Sequence, residues 1–375
     1  MEGLRVGVVG GGQLAWMMGA EAPRLGIKLI VQTPHPSDPA VCRAHNVVLA
    51  EIDDPQGTRE LAQRCSIITF ENEFVDLEAL QEIANQEAVS FRPGLTTLAP
   101  LLDKYEQRSY LKDIGVSVPK FSLYSTAEVL ASDYGFPVVL KARRHGYDGQ
   151  GTFVLRSWQD LTTLSDSVPL AELLVEEFVP FERELAIIAA RSTKGEIAVY
   201  PLTETHQENQ VCTWTITPAR VAAEVETSAK AIASNILEQL QVVGVLGIEF
   251  FLTKDQQLLV NEIAPRTHNS GHYTLDGCDT SQFAMQLQAV SGLPLGLTDL
   301  KSAGAIMVNL LGYEESNSDY QTKRDRLMSI PHSFVHWYGK ASRPGRKLGH
   351  VTIILQQLEE AGVIIQEIES IWYER

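Results

Sequence analysis

The stretch Val245–Arg266, VLGIEFFLTKDQQLLVNEIAPR, holds two apolar runs around KDQQ, which reads as a four-residue hairpin loop. Pairing Thr253 with Leu258 sets Glu249 directly opposite Glu262. Along the first run Leu246, Ile248, Phe250 and Leu252 recur at every second position and form one apolar face, which leaves Glu249 on the other. Like charges directly opposite on a sheet are destabilising unless something neutralises them. Mg2+, bound through one or two carboxylates plus substrate phosphates, would do so. The alternative is a solvated face on which both carboxylates meet water. The register decides between them, because a one-residue slip undoes the pairing.

Two lysines bear on that choice. Lys141 ends the strand VVLK just before ARRHGYDGQG, a glycine-rich loop able to close over phosphates, and Lys104 opens the preceding helical region. Either lysine alone reads as a solvated surface charge. Two lysines, a glycine loop and a carboxylate pair on separate elements together point to a phosphate-bearing ligand.

The N-terminal RVGVVGGGQLAW, Arg5–Trp16, runs from a buried strand through Gly10–Gly12 into a helix expected over Gln13–Leu25, with Gly26 past its end. Its spacing fits G-x-G-x-x-A, with Ala15 at the third small position. A dinucleotide site also needs an acid at the end of the second strand, and here LIVQTPHP offers Gln32 and Thr33. Two other readings stand beside NAD: a tight turn with no ligand, or helix N-terminal N–H groups holding a single phosphate. Strands at Lys28–Gln32 and Ser66–Phe70 alternate with helices near Thr58–Gln63 and Leu77–Asn85, the pattern of a parallel sheet.

Beyond it, Asp103–Ile114 reads as a helix stopped by Gly115, and Thr227–Leu240 as another. The last seventy-five residues read as a smaller α/β lobe, with strands near Ala305–Leu310 and Val351–Leu355. Across 375 residues, 44% hydrophobic and 21% charged content is that of a globular protein of two or three domains. A net charge of −16 argues against a nucleic-acid binder. Four scattered cysteines without a C-x-x-C pair fit a reducing compartment. No signal-like segment or apolar run of about 20 residues is visible. The expectation is a cytoplasmic protein without a membrane span.

Taken in order, GGGQL, FENE, GYDGQG, NEIAPRTHNSGHYT, SQF and WYGKASRPGRKLGH resemble the ATP-grasp superfamily and, within it, the N5-carboxyaminoimidazole ribonucleotide synthase family. The resemblance runs nearly end to end, and APRxHNSGH followed by RPGRKxGH is its most specific part. It implies an α/β ATP-grasp fold: an N-terminal Rossmann-like parallel-sheet domain over 1–102, a small lid subdomain over 103–173, and a large subdomain over 174–375 with a C-terminal α+β lobe from about 300. It implies ATP-dependent carboxylation of 5-aminoimidazole ribonucleotide by bicarbonate, through carboxyphosphate, in purine biosynthesis, with ATP and Mg2+ as cofactors. A homodimer is a further implication.

By motif, Lys104 and Lys141 would contact ATP phosphates, and Gly146, Tyr147, Asp148, Gly149, Gln150, Gly151 and Thr152 would form the lid. Glu176, Glu177, Phe178 and Val179 would hold adenine mainly through backbone, Glu184 the ATP ribose, and Glu249 and Glu262 the Mg2+, with Asn261 nearby; His206 is a further ATP-site candidate. Gly12, Gln13 and Leu14 would offer backbone to the ribonucleotide phosphate, Glu73 would accept its ribose hydroxyls, and Asn269 would contact the same substrate. Lys340, Arg346 and Lys347 would add positive charge, since KASRPGRK carries four cations in eight residues around a Pro-Gly turn. Arg266 and His268 would sit at the bicarbonate–phosphate junction with Tyr147 and Asp148. His268 and His272, four apart, superficially suggest a zinc pair, but HNSGH is a poor helix and lacks the Glu of H-E-x-x-H.

Three departures stand out: Ala15-Trp16 replaces the family's Gly-Arg, Gln150 replaces a lid cation, and Ala264 stands where the wider superfamily often has Asn. Gln keeps hydrogen bonding but gives up Coulombic attraction. The rival readings are a formate-using ATP-grasp transformylase, an NAD-dependent oxidoreductase, and a nucleotide sensor without catalysis. The transformylase would carry Glu in place of Gln13 and would lack the HNSGH–RPGRK pair.

Overall fold

The computed structural model describes residues 3–144 and 151–374. Val6, Val8 and Val9 are wholly buried because the strand Leu4–Val9 lies at the centre of a parallel sheet, between Ile27–Thr33 and Ile67–Phe70. Asn46–Leu49 and Ser90–Phe91 complete its five strands. The first helix spans Gln13–Glu21 and tightens into a 3-10 turn over Ala22–Leu25, where Pro23 lacks the N–H that α-helical bonding requires. Asp54 and Asp76 cap the next two helices, Pro55–Ala62 and Leu77–Gln86.

A second, antiparallel sheet is ordered Phe121–Leu123, Leu173–Glu177, Val138–Ala142, Thr152–Leu155. Its last-entering strand runs to Glu177, four residues past 173, because it pairs with both neighbours along that length. The helix Lys104–Asp113, capped by Asp103, packs elsewhere: Leu111 joins Leu185, Ile248, Phe250 and Val260 in the core of the third sheet.

That third sheet has nine strands. Its path runs Leu258–Ala264, Gly244–Thr253, Phe181–Arg191, Thr203–Glu208, Val211–Thr217, Gly304–Leu311, Lys347–Leu355, Ser333–Trp337, with Ile197–Val199 paired to Phe181–Arg191. The C-terminal strands therefore extend the large sheet rather than forming one of their own. They do keep a separate apolar cluster, in which the helix Ala361–Tyr373 buries Ile365, Ile368 and Trp372. The helix Ala223–Gln239 covers the other half of the sheet through Ala229, Ala233, Ile236 and Leu237. Among the described residues, no helix is long and apolar enough to cross a membrane.

Phe250 is 1% exposed at the centre of this core. Phe250→Ala is expected to cost about 3–5 kcal/mol of unfolding free energy, measured by urea denaturation.

Candidate active site

The glutamate hairpin forms, but with a register different from the simple one. Leu252 pairs with Leu258 and Phe250 with Val260, so the expected Thr253–Leu258 pairing is one residue off at the turn. The turn is tighter than four residues: Thr253 N–H reaches the Gln257 carbonyl, and Gln256 takes a positive φ of 59°. An irregularity between Phe250 and Glu249 then absorbs Asn261 as an extra residue, and Glu249 does face Glu262. The bulge turns Asn261 and Glu262 to the same side, while Val260 and Ile263 both enter the core. Its trace in the sequence is the inward spacing Leu258, Val260, Ile263, in which a step of two becomes a step of three.

Charges around this pair are unequal. Burial raises the Glu262 carboxyl, but Lys104, whose Nζ lies 2.8 Å from Oε2, outweighs it together with Lys141 and Arg108, and holds Glu262 at about 2. Glu249 goes the other way, to about 7, through burial and the charge of Glu262. Glu184 also rises to about 7, through burial and Glu249. Lys141 Nζ lies 2.6 Å from Glu176 Oε2 and donates to Asn261 Oδ1 at 3.0 Å. Arg108 Nε donates to Glu176 Oε1 at 2.5 Å, and these two cations bring Glu176 down to about 2 against its burial. The Glu176 side chain is thereby engaged beneath the site. An oxygen donor set of two facing carboxylates, one of them pushed up by burial and then by its partner, fits a hard cation such as Mg2+ shared with phosphates. Among the described residues no group of three or more His, Cys, Asp or Glu gathers as a metal site.

The glycine loop is occupied from within the protein. Glu71 accepts hydrogen bonds from Gly12 N–H at 2.5 Å and Leu14 N–H at 2.9 Å. A Cβ on Gly12 would meet Glu71 Oε1 at 2.5 Å, so a larger residue there would push the carboxylate aside. Lys340 donates to the Gln13 side chain; burial lowers its pKa to about 8, with Glu71 opposing. The helix N-terminus does bind an anion, as its physics dictates, and that anion is a carboxylate of FENE. Gln32 is wholly buried and spends its amide on Glu51, Asp54 and Thr58, which removes it as a ribose ligand of an NAD site. Trp16, in the family's Arg position, carries the Arg43 guanidinium 3.7 Å above its ring.

Glu73 and Arg266 meet in a two-armed ion pair, Nε–Oε2 2.7 Å and Nη2–Oε1 3.3 Å. His268 Nε2 lies 3.6 Å from Glu249 Oε1. Asn269 exchanges amide hydrogen bonds with Asn309 at 3.0 and 2.8 Å. His272 is buried against Phe283 and His350, with its Nδ1 3.3 Å from Gln282 Nε2.

One cavity of about 760 Å³ joins these parts. It is lined by Gly12–Leu14, Glu71 and Glu73 toward the parallel sheet, by Lys104, Lys141, Glu249, Asn261 and Glu262, and by Glu176–Val179, Glu184, Thr152, Arg266, His268, Asn269 and Lys347. Val139, Val154, Phe181 and Phe251 add an apolar wall, the two phenylalanines stacked 4.7 Å apart. His206 stands apart from the lining. Its strand neighbours Thr205 and Gln207 reach the cavity, while His206 stacks on Trp214, as strand alternation requires. Lys340 and Arg346 are also outside the lining; Lys340 contacts it through Gln13, and Arg346 donates to the Ala341 carbonyl at 3.0 Å. Gly146, Tyr147, Asp148, Gly149 and Gln150 lie outside the described residues. Gly151 and Thr152 are described, Thr152 beginning the strand that pairs with Lys141. Glu71, Arg108 and Phe251 escape sequence reasoning. Glu71 could have been found, since FENE offers two carboxylates at the end of a strand adjacent to the glycine strand.

Residues 109–283 match the ATP-grasp domain family, residues 3–99 the ribonucleotide synthetase preATP-grasp domain, and residues 305–362 the phosphoribosylaminoimidazole carboxylase C-terminal domain. The N5-carboxyaminoimidazole ribonucleotide synthase of Synechocystis sp. is 54% identical, over 98% of this chain and 98% of that one. The solved N5-carboxyaminoimidazole ribonucleotide synthetase of Thermotoga maritima superposes with a TM-score of 0.88 at 37% identity, covering 98% of each chain. The Aspergillus clavatus N5-carboxyaminoimidazole synthase, in complex with ADP and 5-aminoimidazole ribonucleotide, gives 0.91 at 30% identity, over 99% of this chain and 98% of that one.

The unequal glutamates make a titration prediction for metal-free protein. Glu249 and Glu184 have raised folded pKa values, so their contribution to stability is present below the ordinary 4.5 and is lost as pH rises to about 7. Glu262 is lowered, so its contribution is present above 4.5 and is lost as pH falls toward about 2. Carbon-13 NMR of labelled glutamate is expected to show carboxyl titrations near neutrality that move down when Mg2+ and nucleotide are added.

Proposed function

Because the chain belongs to the N5-carboxyaminoimidazole ribonucleotide synthase family of ATP-grasp enzymes, we infer that it is an ATP-dependent carbon–nitrogen ligase of purine biosynthesis. It joins bicarbonate to the exocyclic amine of 5-aminoimidazole ribonucleotide and releases ADP and phosphate. The observation that carries the reading is that one cavity runs from a lysine-flanked carboxylate pair to a glycine loop a domain away. A phosphoryl donor and a phosphorylated acceptor can therefore meet within it.

In this reading ATP lies with its base on the apolar wall and along the backbone of 176–179, its ribose at Glu184 and its phosphates at Lys104 and Lys141. Glu249 and Glu262, with Asn261 beside them, would hold Mg2+, which when bound supplies positive charge to the phosphoryl oxygens. Bicarbonate oxygen attacks the γ-phosphorus, giving carboxyphosphate and ADP. Arg266 and His268 orient that anion, and the guanidinium stabilises charge as the C–O bond to phosphate breaks. The ribonucleotide amine takes the carboxyl group; its displaced proton passes to the departing phosphate. Enclosure keeps water from the mixed anhydride.

The acceptor would sit at the other end, with its phosphate near Gln13 and Lys347 and its ribose at Glu73. Glu71 already takes the Gly12 and Leu14 N–H groups, so side-chain cations, Lys347 above all, supply the attraction for that phosphate. A homodimer and a cytoplasmic setting belong to the same reading; the four free cysteines agree with a reducing compartment. Sedimentation at micromolar concentration checks the dimer.

ADP release is expected to depend on the ribonucleotide and to require bicarbonate; release supported by formate instead would indicate the transformylase. Glu262→Gln is expected to abolish turnover with unchanged circular dichroism, and ordinary activity in that variant would remove Glu262 from the metal site. Lys347→Ala is expected to weaken ribonucleotide binding by on the order of 1.5–3 kcal/mol, measured by calorimetry.

A further inference from the structure

Three consecutive residues of the bulged strand, Asn261, Glu262 and Ile263, are gripped by one face of the helix Lys104–Asp113. Lys104, Gln107 and Arg108 stand at positions i, i+3 and i+4, which share a face. Lys104 takes the Glu262 carboxylate at 2.8 Å. Gln107 acts as a strand in miniature: its Oε1 accepts from Ile263 N–H at 2.9 Å and its Nε2 donates to the Ile263 carbonyl at 3.1 Å. Arg108 donates through Nη2 to the carbonyl of Asn261, the extra residue of the bulge.

Both of these side chains are buried, Gln107 at 2% and Arg108 at 1% exposure. The strand they hold, Leu258–Ala264, is the edge of the nine-stranded sheet, so among the described residues no further strand serves these backbone groups. The next one along is served too, since Val260 N–H donates to the Ser117 carbonyl at 2.9 Å. Core packing of Val260 and Ile263 favours the bulge from the sheet side, and straightening would turn Glu262 toward the core.

We propose that Gln107 and Arg108 are positioning residues for cation binding. By fixing the backbone on both sides of Glu262 they hold the bulge at Asn261, and with it the separation of the Glu249 and Glu262 carboxylates. The inference rests on the reading of those carboxylates as the Mg2+ ligands. Neither side chain is required to touch cation, nucleotide or ribonucleotide.

The test is Mn2+ binding in the presence of ADP, followed by electron paramagnetic resonance, in wild type, Gln107→Met, Gln107→Glu, Arg108→Lys and Glu262→Gln. Gln107→Met is expected to weaken Mn2+ binding about tenfold while ADP affinity in EDTA changes by less than about twofold. Gln107→Glu keeps an acceptor for Ile263 N–H but sets a carboxylate against the Ile263 carbonyl; it is expected to lose at least as much, and it carries the test if Gln107→Met does not fold. Arg108→Lys keeps the charge but loses the fork that bonds the Glu176 carboxylate and the Asn261 carbonyl together; it is expected to weaken Mn2+ binding several-fold, and unchanged affinity removes Arg108 from the inference. Unchanged Mn2+ affinity in a folded position-107 variant overturns the inference. So does an equal loss of metal-free ADP affinity, which marks a merely structural role. If wild type binds Mn2+ no better than Glu262→Gln, the assignment of the carboxylates falls and the inference falls with it.

Discussion

Glu249 and Glu262 repel one another across a hairpin, and the surrounding residues are arranged about that repulsion. Lys104 settles on Glu262 rather than lying between the two, so one carboxylate is firmly ionised and the other is pushed toward neutrality. Lys141 is divided between Glu176 and Asn261, and Arg108 completes the pairing of Glu176. The protein thus supplies more positive charge to Glu262 than to Glu249, on which Lys104, Lys347 and Lys141 act without offsetting its burial and the charge of Glu262. A group carrying its own cation relieves the strain; a bare anion adds to it.

The separation between this end and the glycine loop is held by an apolar and polar joint. The helix Gln282–Ser291 puts Phe283, Leu287 and Val290 into the core of the parallel-sheet unit. On its other side Gln286 accepts from Val245 N–H at 2.6 Å, at the start of the glutamate strand, and donates to Thr69 Oγ1 at 2.7 Å, in the parallel sheet. Burying an amide is favourable only when its partners are fixed, so this residue ties the two sheets in one geometry. A reaction between two bound substrates depends on such fixed distances, because small misplacements cost large factors in rate.

Much of this was legible in the sequence, and the misses share a cause. The parallel unit followed from strand–helix alternation, and the glycine turn from its spacing, since both depend on neighbours in sequence. The opposition of Glu249 and Glu262 was reached through a uniform register, whereas the structure reaches it through a tighter turn plus a bulge that cancel. Arg108 is 153 residues from the Asn261 carbonyl it serves, and Gln107 is 156 from Ile263. Glu71 lies 59 residues from Gly12. Periodicity carries no information about such partners. For the same reason the continuity of the C-terminal strands with the large sheet is not legible: Gly304–Leu311 takes its place beside Val211–Thr217, a pairing no local pattern announces.

The covered strand edge has a consequence for how the chain avoids self-association. An open edge ending in apolar residues such as Leu258, Val260 and Ile263 is a template for pairing with another chain. Here the blocking groups come from a helix more than a hundred and forty residues earlier, so the edge stays bare until that helix docks. A substitution that slows docking lengthens the interval in which a second molecule can add a strand, and its first symptom would be aggregation during refolding, even where the finished protein is sound.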